Sequence, residues 1–239
     1  MKRKNQRKYM KLVFKKSLRE IIHDQERIKE LILDPKQIYK AENEKIRVYQ
    51  KEEPAPVKKK TGLFRRKAKE EKKEEVSPVM EVNEAEAMAS PQVLELIEGR
   101  SQVIIDHCKS LLQSLYKNVR TMPYGLRGIC KQTIALIDEL VPGVSDAEKY
   151  SLLGNMLFTF WWIPAIIDPI KNGLLQNVMI HKVTLGYLKS IGTIFKNIFK
   201  ESEFDEPQYF VINSFIKEES AHMKDFFRDI IYLEEGADL

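Results

Sequence analysis

No charged residue lies between Lys149 and Asp168, and this gap constrains the fold more than anything else in the chain. It contains a 16-residue apolar run, Leu152 to Ile167, reading LLGNMLFTFWWIPAII. Leaving Trp161, Trp162 and Ile163 in water would forgo about 1.5–3 kcal/mol per side chain. The run is therefore predicted to be buried, as the central helix on which the rest packs. A bilayer span needs ~20 apolar residues. This run is shorter and contains Gly154, Asn155, Thr159 and Pro164, so it reads as a core helix rather than a span. Its start is marked by Ser145-Asp-Ala-Glu148, a capping box in which Ser145 accepts from the Glu148 amide and Glu148 reaches back. Pro164 is expected to stop or kink the helix, because it removes a donor and disfavours helix at Ile163.

Amphipathic helical spacing recurs on both sides of this run. Residues 5–32 read as one helix, with Tyr9, Leu12, Val13, Lys16, Leu18, Ile21, Ile22, Ile28 and Leu31 falling mostly at spacings of three and four along its apolar stripe. Asp34-Pro35 breaks it and starts a second helix with Pro35 in the first position. Ser90-Pro91 caps a long helix to about Arg120. Pro123 opens another to about Leu140, which Pro142-Gly143 ends. Asn172-Gly173 turns the chain into a helix over 174–200, and Glu206-Pro207 begins a final pair, 207–216 and 218–233. No stretch has strand periodicity. The predicted fold class is all-α, a helical bundle with one long charged insertion. The organisation expected is helices over 1–50, an insertion over 51–89 and the main bundle over 90–239.

The 51–89 segment is rich in Lys and Glu, has prolines at 54, 56 and 78, and holds few large apolar residues. Such a composition cannot bury enough surface to offset its ordering entropy, so it reads as a linker, disordered or partly helical. Charge is also polarised. Residues 1–20 carry nine bases and one acid, whereas residues 201–239 carry eleven acids and three bases. The basic end, 1–20, and the patch 58–67 both suit an anionic membrane surface, and 58–67 also suits a localisation signal. A solvated helix face is the plainer reading of both. Nucleic acid is not an expected partner, because no groove-reading motif accompanies the basic residues.

The opening residues, MKRKNQRKYMKL, have no apolar signal-peptide core. Cys108 and Cys130 are too few for a disulfide framework or a zinc site and read as buried free thiols. A cytoplasmic protein, peripheral at membranes where its basic end meets lipid, is expected. His107 has no metal-ligand partner at helical spacing. No phosphate loop, nucleophile elbow or HExxH occurs, and Gly125-Leu-Arg-Gly128 lacks the phosphate-loop pattern. No catalytic residue, metal site or cofactor is expected from spacing alone.

The residues themselves carry a resemblance. MPYGLRGICKQ at 122–132, PGVSDAEKYSLLGNMLF and IPAIIDP at 163–169 resemble the C-terminal part of a Ras GTPase-activating (RasGAP) domain, in its IQGAP-like or GAP-plus-Vps9 flavour. YMKLVFKKSLREII at 9–22 resembles the family helix that follows the catalytic loop, and LDPKQIYK at 33–40 the segment after it. Leu188-Lys189-Ser190 and Asn213-Ser-Phe-Ile-Lys217 resemble later family segments. The resemblance implies a small GTPase of the Ras superfamily as partner and an arginine finger that stabilises transition-state charge, an effect of ~10³–10⁵ in rate.

By that resemblance the finger loop would fall before Met1. Arg3 and Arg7 do not stand in an L-x-R-G-N context, so the finger is not expected within this chain. The family's core motif, of F-L-R-x-x-N-P-A type, maps onto Phe158 to Ala165. Phe158, Pro164 and Ala165 match, but Phe160 stands at the arginine position and Ile163 at the asparagine position. Phenylalanine donates no hydrogen bonds. The motif is thus expected to keep its packing, through Phe158, Phe160, Ile163, Pro164 and Ala165, and to lose its chemistry. Lys189 fits the family lysine beside the GTPase-facing groove, and Arg127 and Lys131 would add positive charge there. Three functions follow as expectations: a GTPase-binding regulator with weak or no GTPase-activating power, a fragment of an active GAP, or a structural scaffold docking through its basic N-terminus.

Overall fold

Every regular element among the described residues is helical. The structure, a computed structural model, describes residues 2–52 and 83–232, with side chains over 5–45 and 83–232. The 58–67 patch and most of the expected insertion lie outside the described residues. The chain divides into two compact units, residues 1–33 with 97–239, and residues 34–96.

In the smaller unit Asp34 caps helix α3 (Pro35–Glu52) through its carboxylate, which accepts from the amides of Lys36 at 2.9 Å and Gln37 at 3.2 Å. Pro35 occupies the first helical turn, where its missing donor costs nothing. Part of the expected linker is ordered. Asn83 accepts the Ala85 amide and starts a short helix, α4 (Glu84–Met88), in which Ala87 is buried. Helix α4 packs on α3.

The larger unit opens with α1 (Lys2–His23). The single helix expected over 5–32 is interrupted at Asp24 and resumes as a turn, α2 (Gln25–Ile28). Helix α5 (Pro91–Lys117) enters this unit from residue 97. It lies against α1, where Ser17 and Ser110 hydroxyls meet at 2.7 Å and the Ser114 hydroxyl donates to the Val13 carbonyl at 2.6 Å. Small polar residues let the two backbones approach while Val13, Phe14, Leu111 and Leu115 bury. Helix α6 (Tyr124–Leu140) follows Pro123 and ends before Gly143, whose φ of 90° only glycine adopts without strain.

Residues 146–167 form one continuous helical rod of three parts: α7 (Asp146–Gly154), a π-helical segment (Asn155–Trp162) and α8 (Ile163–Ile167). The helix does not stop at Pro164. A proline ring collides with the carbonyl four residues back. Here the turn ahead of it is widened, so that the Ile163 amide donates to the Phe158 carbonyl, five residues back. By length and composition the 22-residue rod could cross a bilayer. Its inner face is instead packed on α9 (Lys182–Lys200) and α10 (Phe210–Tyr232).

Two further boundaries differ from expectation. Helix α9 begins at Lys182 rather than 174, because Gly173 and Asn177 take left-handed φ values of 69° and 55°. The intervening segment runs along α1: Gly173 abuts the Arg7 side chain, and Leu175 and Val178 border a depression with Arg19 and Ile22. Gln25 then accepts from the His181 amide at 2.7 Å and the Thr184 hydroxyl at 3.2 Å, and donates to the Met179 carbonyl. His181 supplies no side-chain cap, so Gln25 caps α9 from across the fold. At the C-terminal end the expected pair is one helix, since residues 210–232 contain neither glycine nor proline.

Candidate functional site

The rod holds the residues of the candidate site, and its position is fixed at its start and along its length. At the start, the Ser145 amide donates to Glu148 Oε2 at 2.9 Å and the Glu148 amide donates to Ser145 Oγ at 3.3 Å, the reciprocal box expected from the sequence. Lys149 bridges Asp138 at the end of α6 and Asp146 beside it. Hydrogen bonds from Ser145 hold the Glu148 carboxyl below its usual range.

Two glycines set the distance to α9. A Cβ on Gly154 would stand 2.8 Å from both Cβ and Cγ of Phe199, and one on Gly192 would stand 2.9 Å from Ile163 Cγ2. One glycine lies on each helix, and each makes room for a large side chain of the other, Phe199 over Gly154 and Ile163 over Gly192.

That approach closes an aromatic cluster around Phe158. Its ring stacks on Phe199 at 5.4 Å and meets Trp162 edge-on at 4.7 Å, with Phe195 at 6.0 Å and Phe227 at 6.5 Å. Trp162 also touches Phe226 of α10. Phe158, Trp162, Ile163 and Ala165 are buried and Pro164 is half-buried. Trp161, expected to be buried beside Trp162, is only half-buried. Phe160 does not join the packing at all: its side chain is 71% exposed. The π-helical register separates the outward residues Asn155 and Phe160 by five positions, one wide turn, with the Thr159 hydroxyl donating to Asn155 Oδ1 beside them.

The expected cations occupy two helices that flank the rod. Arg127 and Lys131 are half-buried on α6, which packs on α7, and Lys189 is exposed on α9. No hydrogen bond or ion pair joins Arg127 to Lys189 among the described residues. Lys189 is not alone on its face. Lys182, Lys189 and Lys196 recur every seven residues, with Lys200 one turn further, and none has an ion-pair partner among the described residues. This row escaped the sequence reading, although its spacing was a sufficient signal. Gln25 also escaped it, and no local signal marks that residue.

Cys108 and Cys130 are buried and unpaired with each other. Burial raises both thiols, Cys130 to about 12, which leaves them inert at neutral pH. His107 Nδ1 lies 2.6 Å from the Tyr187 hydroxyl, and burial lowers the imidazole below its usual range. Among the described residues no group of three His, Cys, Asp or Glu side chains could hold a metal ion.

The all-α bundle, with the PYG-headed helix and the capped rod ending in IPAII, is the arrangement in which a family comparison becomes decisive. The RasGAP sequence profile, described as GTPase-activator protein for Ras-like GTPase, matches residues 1–200. This chain belongs to the RasGAP family. Among the RasGAP relatives it resembles are the Ras GTPase-activating-like protein rgaA of Dictyostelium discoideum, 22% identical over 66% of this chain, and the human Ras GTPase-activating-like protein IQGAP3, 26% identical over 37%. The human Ras GTPase-activating-like protein IQGAP2 is 21% identical over 65%. The chain spans 19%, 6% and 10% of the lengths of these three proteins, so the likeness is confined to one part of each. The RasGAP match ends at the last residue of α9, so the rod and its α9 partner both lie within it.

Proposed function

We propose that this RasGAP-family chain binds the GTP-bound form of a small Ras-superfamily GTPase and regulates its signalling in the cytoplasm, with weak or no acceleration of GTP hydrolysis by its own residues. The observation that carries the reading is Phe160. By the motif resemblance it takes the place of the core-motif arginine, and it is 71% exposed, on a rod whose inward side packs on α9 and α10. Phenylalanine offers neither charge nor donors to a phosphate or to a neighbouring loop. An exposed apolar side chain at that position can still take part in contact with a protein partner. The α9 lysine row, with Lys189 in it, and Arg127 and Lys131 on α6 supply positive charge on the helices beside the rod.

The test is a binding panel of Ras, Rap, Rho and Rab-class GTPases, each loaded with GDP or a non-hydrolysable GTP analogue, combined with single-turnover hydrolysis. Nucleotide-dependent binding is expected to at least one class, with a hydrolysis rate far short of the ~10³–10⁵-fold gain that an inserted arginine gives. Absence of nucleotide-dependent binding across the panel overturns the partner. A full-sized acceleration by the chain alone overturns the catalytic half of the reading.

A further inference from the structure

We propose that the outer face of α1 docks on an anionic lipid surface. At 3.6 residues per turn, Lys8, Lys11, Leu12, Lys15, Lys16 and Arg19 fall within about 140° of the helix circumference. Lys8, Leu12, Lys16 and Arg19 are exposed, and Lys11 and Lys15 are partly exposed. Glu20 is the one acid near this face. None of the five cations has an ion-pair partner among the described residues. The opposite face of α1 is fixed to the core through Tyr9, Val13, Phe14 and Leu18, so the charges are presented on a rigid support.

The arrangement works against the helix that carries it. Lys11 with Lys15, and Lys15 with Arg19, are like-charge pairs four residues apart, which disfavour an isolated helix. The first turn has no acidic residue to complement the helix dipole. An opposing anionic surface would relieve both.

What distinguishes a lipid surface from another polyanion is the apolar rim. Leu12, expected on the buried stripe with Lys16, is instead 56% exposed among the cations, and with Lys8 it lines a groove of about 610 Å³. Tyr124 and Ile129 of α6 line that groove and are 64% and 45% exposed. Lysines beside exposed Leu and Tyr match the boundary between headgroups and acyl chains, where amphipathic helices place charge outward and apolar side chains shallowly inward. Four of the five cations are lysines, compact point charges without the planar fork that reads a defined acceptor pattern. The inference is independent of the GTPase reading.

The experiment is co-sedimentation of the full chain with vesicles of one part phosphatidylserine to two parts phosphatidylcholine, and with phosphatidylcholine alone. Binding is expected only to the anionic vesicles and is expected to be lost at molar salt, where the screening length falls to ~3 Å. Each cation near such a surface contributes about 1 kcal/mol, or roughly fivefold. The triple variant Lys11→Gln, Lys15→Gln, Arg19→Gln should therefore partition about a hundredfold more weakly, with a melting temperature no lower than that of the wild type, since the like-charge pairs are gone, and unchanged GTPase binding. Leu12→Ser should weaken partitioning severalfold without altering the salt dependence. The proposal is overturned by equal binding to neutral vesicles, by undiminished binding of the triple variant, or by no binding of the wild type at low salt. Loss of GTPase binding in the triple variant, with vesicle binding intact, would assign the face to a protein partner and overturn it equally.

Discussion

Replacing Gly154 with alanine sets two opposed effects against each other, and the structure decides the sign. Gly154 lies at the end of α7 with neighbours in right-handed helical conformation, so a methyl group should gain about 0.8–1 kcal/mol of helix propensity. The same methyl would stand 2.8 Å from Phe199 Cβ and Cγ. Those atoms cannot swing away: Cβ is bonded to the α9 backbone, and the ring is stacked on Phe158. Relief requires the two helices to separate, and overpacking of this kind costs typically 1–3 kcal/mol. With no soft neighbour the cost falls at the upper end, leaving a net loss of about 1–2 kcal/mol. For a chain of this size that is a fall in Tm of roughly 2–8 °C. Gly186 provides the control. It is exposed within α9 and a Cβ there meets nothing within 4 Å, so Gly186→Ala should stabilise by about 0.5–1 kcal/mol. Urea unfolding followed by circular dichroism measures both. If Gly154→Ala is neutral or stabilising, as Gly186→Ala should be, the close approach of rod and α9 is wrong.

Three further outcomes follow from the same contacts. Phe158→Ala should cost about 3–5 kcal/mol by opening a cavity in the aromatic cluster, whereas Phe160→Ala, two residues on, should stay within about 0.5 kcal/mol; chemical denaturation separates them. Gln25→Ala leaves the His181 amide and the Met179 carbonyl without their partner, so stability should fall by about 1–3 kcal/mol, with faster hydrogen exchange concentrated at the start of α9. His107 is held below its usual range by burial, with Asp24, Asp106 and Glu20 opposing and Arg27 adding to the shift. The unfolded chain then binds the proton more readily, so its contribution to stability is full above an ordinary histidine pKa of ~6.5 and declines as pH falls toward the lower folded value. A His107→Gln variant should lose less Tm than the wild type between neutral and mildly acidic pH.

The parts legible in the sequence are those decided within one or two turns of chain. Ser145 and Glu148 satisfy each other, Pro35 follows its capping Asp34, and Gly143 supplies the φ that ends the connection after α6. Those signals need no knowledge of the rest of the molecule. Most of the departures have tertiary or conformational causes. Gln25 caps a helix that begins 156 residues away, and drawing that side chain out accompanies the interruption at Asp24. The late start of α9 depends on Asn177 in a left-handed conformation, which asparagine tolerates but does not announce. The division predicted near residue 217 has no glycine or proline to make it, and the helix runs through. In the candidate site, the inward placement of Phe158, Ile163 and Ala165 accords with the apolar run. Phe160 could not be placed from an ideal period of 3.6, because the π-helical turn ahead of Pro164 shifts the register there.

That shift bears on how a RasGAP-family rod can keep its packing with a phenylalanine at residue 160. The side chains that hold the rod against α9 and α10 are Phe158, Trp162 and Ile163, and all are inward. Phe160, which the motif resemblance sets at the arginine position, is 71% exposed, so either an arginine or a phenylalanine there should leave the inward packing unchanged. The fold should therefore not depend on which of the two stands at residue 160. The exposed ring forgoes much of the 1.5–3 kcal/mol that full burial would return, a cost recovered only when another surface covers it. Phe160→Arg and Phe160→Ser should both leave stability within about 0.5 kcal/mol of the wild type. They should differ at the partner. On the proposed function, serine should weaken GTPase binding, while arginine offers a planar donor set and should bring a measurable gain in hydrolysis if a finger is supplied from elsewhere. If instead both variants unfold the chain, Phe160 belongs to the core, and the fold does depend on residue 160.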